Sequence, residues 1–240
     1  MKRSGFSLIE LLAALAILII IVGIMGTIFT ESDRAWNLGT GRVTNNNDGR
    51  AALDLLKHDL QYAVADSKLS FLARPDKNGL KVYGFPCDEL AFVSLQHDSS
   101  QAPRTAREIM YFVEQAPTQS GGRTYSKGRY RLVRKDTGQA IFDNPAEHCY
   151  YTHAWREDRR GNYDRSVVCD NVAAFAVFAS DGSATLTREY DSADYSQPAW
   201  SNRLPQYVDI YLEVLNERDA LRAAQMADAF GGEEDPKVVS

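Results

Sequence analysis

Residues 6–29 form a run of 24 positions whose single charged member is Glu10. As a helix the run rises about 36 Å at roughly 1.5 Å per residue, longer than the ~30 Å hydrocarbon core of a bilayer. Residues 30–47 turn polar, and Gly39, Gly41 and the triplet Asn45-Asn46-Asn47 predict that a helix carried past residue 38 loosens or breaks. From residue 48 to residue 65 a helical period returns, with Leu53, Leu56, Leu60 and Val64 at spacings of three and four. Asp48 stands where an N-cap is wanted, and Asp54, Lys57 and His58 supply a solvated face.

Beyond Asp66 the pattern changes to that of strands, at residues 90–95, 109–113, 130–133, 172–178 and 207–215. The last alternates most clearly: Val208, Ile210, Leu212 and Val214 point one way, Asp209 and Glu213 the other. Turn signals at Pro103, Pro117, Gly121-Gly122, Asp136-Thr137-Gly138 and Asp181-Gly182 separate these runs. Residues 231–240 are acidic and Gly-bearing, a composition that predicts a disordered tail. A long hydrophobic helix followed by mostly antiparallel strands is an α+β arrangement. The expected division is an anchor or assembly helix over 6–29, its continuation and an amphipathic helix over 30–65, and a β-rich domain over 66–230.

Composition changes this picture little. Hydrophobic residues make up 44% and charged residues 25%, ordinary globular values, and 240 residues supply enough chain for a real core. The formal charge of −5 carries no clustered Lys or Arg of the kind a nucleic-acid partner selects. Lys2 and Arg3 precede the apolar run while Glu31 and Asp33 follow it, which predicts a cytoplasmic N-terminus and a C-terminal domain outside the inner membrane. The run is too long for the 7–15-residue core of an ordinary cleaved signal peptide, and no A-x-A pattern follows it.

Glu10 is the informative residue. An acid in a spanning helix costs about 2.5–3.5 kcal/mol at the bilayer centre, less near its surface, so it calls for water or a cationic partner. Its surroundings, Gly5-Phe6-Ser7-Leu8-Ile9-Glu10-Leu11, resemble the class III signal of type IV prepilins and type II secretion pseudopilins. The resemblance implies a basic leader over residues 1–5 and cleavage between Gly5 and Phe6 by a dedicated prepilin peptidase. It also implies N-methylation of Phe6, and an assembly role in which Glu10 pairs with the Phe6 amine of a neighbouring subunit. Removal of the leader would take the formal side-chain charge from −5 to −7. Ala13, Ala14, Ala16, Gly23 and Gly26 would let such helices approach closely.

The later order of elements resembles the J-type minor pseudopilins of type II secretion and the related W-type minor pilins. The resembling stretches are Ala51-Ala52-Leu53-Asp54-Leu55-Leu56-Lys57-His58-Asp59-Leu60-Gln61, Tyr130-Arg131-Leu132-Val133-Arg134, Val172-Ala173-Ala174-Phe175 and Trp200-Ser201-Asn202-Arg203-Leu204-Pro205-Gln206-Tyr207-Val208. Residues 142–165 and the C-terminal tail make this domain longer than the usual J-type subunit.

Candidate chemistry is sparse. Cys87, Cys149 and Cys169 would all lie outside the cytoplasm, where a disulfide is permitted. A Cys149–Cys169 bond would close a loop of about twenty residues and contribute roughly 3 kcal/mol. The odd count leaves one thiol free, and a buried thiol is the plain reading of Cys87. His148, Cys149 and His153 match no standard zinc spacing, and residues 158–164 lack the alternating acids of a calcium loop. No phosphate-binding, nucleophile-elbow or metalloprotease motif is present, so the sequence offers no active site and implies no cofactor or metal. The expected function is that of a non-enzymatic minor pseudopilin at the tip of a periplasmic type II pseudopilus. Its expected partners are the prepilin peptidase, other minor pseudopilins, the major pseudopilin, the inner-membrane assembly platform and membrane lipid, with no nucleic acid. The alternatives are a minor pilin of a type IV pilus or DNA-uptake pseudopilus and, from a different class, a membrane-anchored periplasmic enzyme or binding protein.

Overall fold

A computed structural model describes residues 8–66, 69–96, 105–116, 118–120, 123–125, 129–136, 164–183 and 185–229. The chain divides into two compact units, Met1–Thr44 and Asn45–Ser240. Helix α1, Leu8–Gln61, begins in the first and ends in the second. The break expected after residue 38 does not occur: Gly39, Gly41 and the Asn triplet are all helical. Each Gly costs about 1 kcal/mol relative to Ala, but a break would leave up to four N–H and four C=O groups without helical partners. Thr40 and Thr44 donate their hydroxyls to the carbonyls of Trp36 (2.9 Å) and Thr40 (3.1 Å), so their side chains stay within the helix. Asp48 is accordingly an interior residue and not an N-cap, and the helix stops at Gln61, before Val64.

In the second unit thirteen strands follow among the described residues. They are β1 (Ala63–Val64), β2 (Leu72–Pro75), β3 (Lys81–Val82), β4 (Phe85–Pro86), β5 (Asp88–Gln96), β6 (Thr105–Gln115), β7 (Thr118–Ser120), β8 (Arg123–Tyr125), β9 (Tyr130–Asp136), β10 (Asp164–Asp170), β11 (Val172–Ser180), β12 (Tyr190–Asp191) and β13 (Tyr207–Val214). The largest sheet runs β10-β9-β6-β5-β2-β12, with β1 also on β5, and every pairing in it is antiparallel. β1 and β2 lie end to end along one edge of β5, at Val93–Ser94 and Asp88–Ala91 respectively. β11 pairs with β13 in a separate two-stranded sheet. Asn171 makes the passage from β10 to β11 in a single residue at φ 58°, a left-handed conformation that Asn tolerates better than most side chains. Each of the five strands expected from sequence is present, and β13 shows the expected alternation of half-buried and exposed positions.

The core lies between the large sheet, the last turns of α1 and the β11–β13 pair. Ala52 and Leu56 of α1 join Leu90, Phe92, Tyr111 and Phe175 in one buried cluster, with Val208, Ile210, Leu212 and Val214 of β13 packed against it. The opposite face of the large sheet is buried too, around Leu72, Ala91, Met110, Phe112 and Val133. A second helix, α2 (Glu217–Ala229), went unpredicted. Asn216 caps it by accepting the Asp219 N–H at 2.9 Å, and Ala220 and Ala224 are fully buried one turn apart. The expected tail, residues 231–240, lies outside the described residues.

A buried carboxylate joins the two sheets. Asp88, fully buried at the start of β5, accepts the Val177 N–H of β11 at 2.8 Å and pairs with the Arg188 guanidinium. Burial pushes the Asp88 carboxyl above its ordinary range, against the hydrogen bonds from Arg188 and Val177 that pull it down. A raised acid favours the folded state most in acid, and that contribution is lost as pH rises through the folded value. Arg188→Ala removes the main counterweight, so its destabilisation should grow with pH, reaching about 3 kcal/mol near neutrality. Urea unfolding of both proteins at acid and neutral pH measures this; a pH-independent loss would contradict it.

Candidate functional site

The first unit presents an apolar surface with nothing packed on it. Every residue from Leu8 to Phe29 is exposed, including Leu8 at 81% and Phe29 at 71%. A surface of this size needs lipid or other protein around it. The helix is long and apolar enough to cross a membrane, the one such helix among the described residues. Thr27 and Thr30, near the C-terminal end of the run, are suited to that medium. Thr27 donates its hydroxyl to the Ile24 carbonyl at 2.7 Å, and Thr30 to that of Thr27 at 2.8 Å, so neither leaves a polar hydrogen for lipid to satisfy. Cβ atoms added to Gly23 and Gly26 would meet nothing within 4 Å, so both stay open to close approach by another helix.

Glu10 lies in the first turn of α1. The acid lies at the same end of the described helix as the expected cleavage point. Gly5 and Phe6 themselves lie outside the described residues.

The second unit contributes the means of holding the helix end in place, which sequence reasoning did not single out. Asp59, 1% exposed on the last turn of α1, accepts hydrogen bonds from Tyr111 Oη of β6 at 2.6 Å and Arg134 Nε of β9 at 2.6 Å. Its own carbonyl accepts Ser94 Oγ of β5 at 3.0 Å. Arg134 continues to Asp136 at 2.8 Å, and Arg107 reaches the same Asp136 oxygen at 3.3 Å. Burial and then the Asp59 hydrogen bond raise the Tyr111 hydroxyl well above its usual range, so it stays a donor. Burial alone would lower the Arg134 guanidinium; the hydrogen bond and charge of Asp59, with the charge of Asp136, outweigh this and raise it. Three central strands thus grip one residue of the helix, β6 and β9 through its carboxylate and β5 through its backbone carbonyl.

The cysteines offer no reactive thiolate among the described residues. Cys87 and Cys169 are both buried free thiols, each pushed up to about 11 by burial in the first place. Cys149 lies outside the described residues, as do His148, His153 and residues 158–163. No group of three or more His, Cys, Asp or Glu that could hold a metal occurs among the described residues.

Residues 1–26 match the family model of the prokaryotic N-terminal methylation motif. This motif supports reading the chain as type IV pilin-like. The motif implies processing by a prepilin peptidase and assembly with other pilins. The match takes in most of the apolar run and does not reach the β-rich domain. Comparison with curated proteins and with solved structures finds no match. The matched segment includes most of the exposed apolar run, and Asp59, near the other end of α1, is held within the folded domain.

Proposed function

We propose that this pilin-like protein is a minor pseudopilin of a type II secretion system, a non-enzymatic subunit that assembles at the pseudopilus tip and supports secretion across the outer membrane. The observation that carries the reading is the combination of the methylation motif with Glu10 in the first turn of an exposed apolar helix. After cleavage at Gly5, the Phe6 amine remains a cation whether or not it is methylated, and Glu10 of the adjoining subunit is its anion. The subtype draws support from where the J-type resemblance falls. Its four stretches are the buried end of α1, β9, the start of β11 and the entry to β13, which together surround the core. The N-terminus faces the cytoplasm and the domain the periplasm; prepilin peptidase, fellow pseudopilins and the assembly platform are the partners.

Clean deletion of the gene tests the machine. Secreted enzymes should disappear from the medium while surface pili persist. Normal secretion with lost pili would make the chain a minor pilin of a type IV pilus instead.

A further inference from the structure

Trp36 is 73% exposed on α1, seven positions past Phe29. A large ring so exposed, just beyond a wholly apolar helix, calls for a medium to cover it, and the length of the helix says which. Leu8 and Trp36 lie 28 residues apart, about 42 Å along a helix. A tilt of about 20° shortens that span to roughly 39 Å. A bilayer with its headgroup layers measures about 40–45 Å. With Leu8 in the inner headgroup layer, the residues up to Phe29 occupy the hydrocarbon and Trp36 reaches the outer headgroup layer. The direction of the side chain completes the fit. Helical Cα–Cβ bonds tilt toward the N-terminus, so the indole reaches back over the turn of Ser32, toward the lipid. An indole has an apolar body and one N–H that wants a wet partner, the combination that enriches Trp at membrane interfaces. Glu31 and Arg34 pair at 2.7 Å on the intervening turn, and the charge of Asp33 beside them is one a headgroup layer can solvate.

We propose that Trp36 is an interfacial anchor, seating the outer end of α1 in the phospholipid headgroup layer while the subunit is still in the membrane. The inference rests on reading α1 as a membrane anchor and goes beyond it, because it sets the depth of the helix. The full chain is placed at high dilution in phosphatidylcholine–phosphatidylglycerol vesicles carrying a spin label either on the headgroup or at mid-chain. The Trp36 signal is the emission lost in Trp36→Phe. The headgroup label should quench that component about twofold or more as strongly as the mid-chain label does. A component quenched chiefly by aqueous iodide, chiefly by the mid-chain label, or by neither lipid label would overturn the proposal. Flotation of the same samples separates the two readings. A chain that fails to float with the vesicles removes the anchor as well, whereas one that floats with Trp36 outside the headgroup layer removes this inference alone.

Discussion

Glu10→Ala should cut incorporation into filaments by about tenfold to a hundredfold, the equivalent of roughly 1.4–2.8 kcal/mol per subunit contact. The chain should still be cleaved, because Glu10 lies five residues past Gly5 and the leader is untouched. The argument is one of charge in a poor solvent. Apolar helices of this composition gain little by leaving lipid for one another, since both surroundings are equally apolar. A carboxylate and an amine of neighbouring subunits gain more, because each is costly to leave unpaired in a low dielectric. Glu10→Gln keeps the shape and loses the charge, so it should behave like the alanine variant. Glu10→Asp keeps the charge one methylene short and should recover part of the incorporation. Quantifying the chain in sheared filament fractions, against its processed amount in membranes, reads the effect. A Gln variant incorporated as well as the parent would show that charge is not what registers the subunit.

Asp59→Ala should be among the most damaging single changes in the folded domain, at about 3 kcal/mol. It takes the acceptor from Tyr111 Oη and from Arg134 Nε together, and both donors are in the interior between helix and sheet. Arg134 retains Asp136 at 2.8 Å, which keeps the loss toward the lower end of the usual cost of breaking a buried pair. Against a typical stability of 5–15 kcal/mol, that is a large fraction. Asp59→Ala combined with Arg134→Met should cost less than the sum of the two single changes, since the second no longer strands a partner. Urea unfolding of the full chain in detergent measures all three. Strict additivity would mean that the ion pair does not couple α1 to β9.

The sequence made legible what local pattern alone encodes. The apolar run, its single acid and the strict alternation of β13 need no partner to be recognised, and each is present in the structure. Features that depend on long-range partners were not legible. The helix passes through Gly39, Gly41 and the Asn triplet because continuity of hydrogen bonding outweighs several local penalties of about 1 kcal/mol. Val64 fits the helical period, yet it pairs with Val93 as part of β1. β2 and β12 are short, and their pairing brings together residues more than a hundred positions apart, such as Ala73 and Tyr190. Asp59 sits among Asp54, Lys57 and His58 and reads with them as a solvated charge. One signal was present: it falls on the same helical face as Ala52 and Leu56, seven and three positions away, and a carboxylate in an apolar stripe asks for a buried partner. For α2, the Asn216 cap and the Ala220/Ala224 spacing were readable, but the alternating charges around them masked the period.

The most direct test of the central claim is the mass of the N-terminal peptide from chain recovered in shed or sheared filaments. The account predicts a mature protein that begins at N-methylated Phe6 and co-purifies with other pilin-like subunits. A chain that retains Lys2 and Arg3, and stays wholly with the inner membrane, would contradict it.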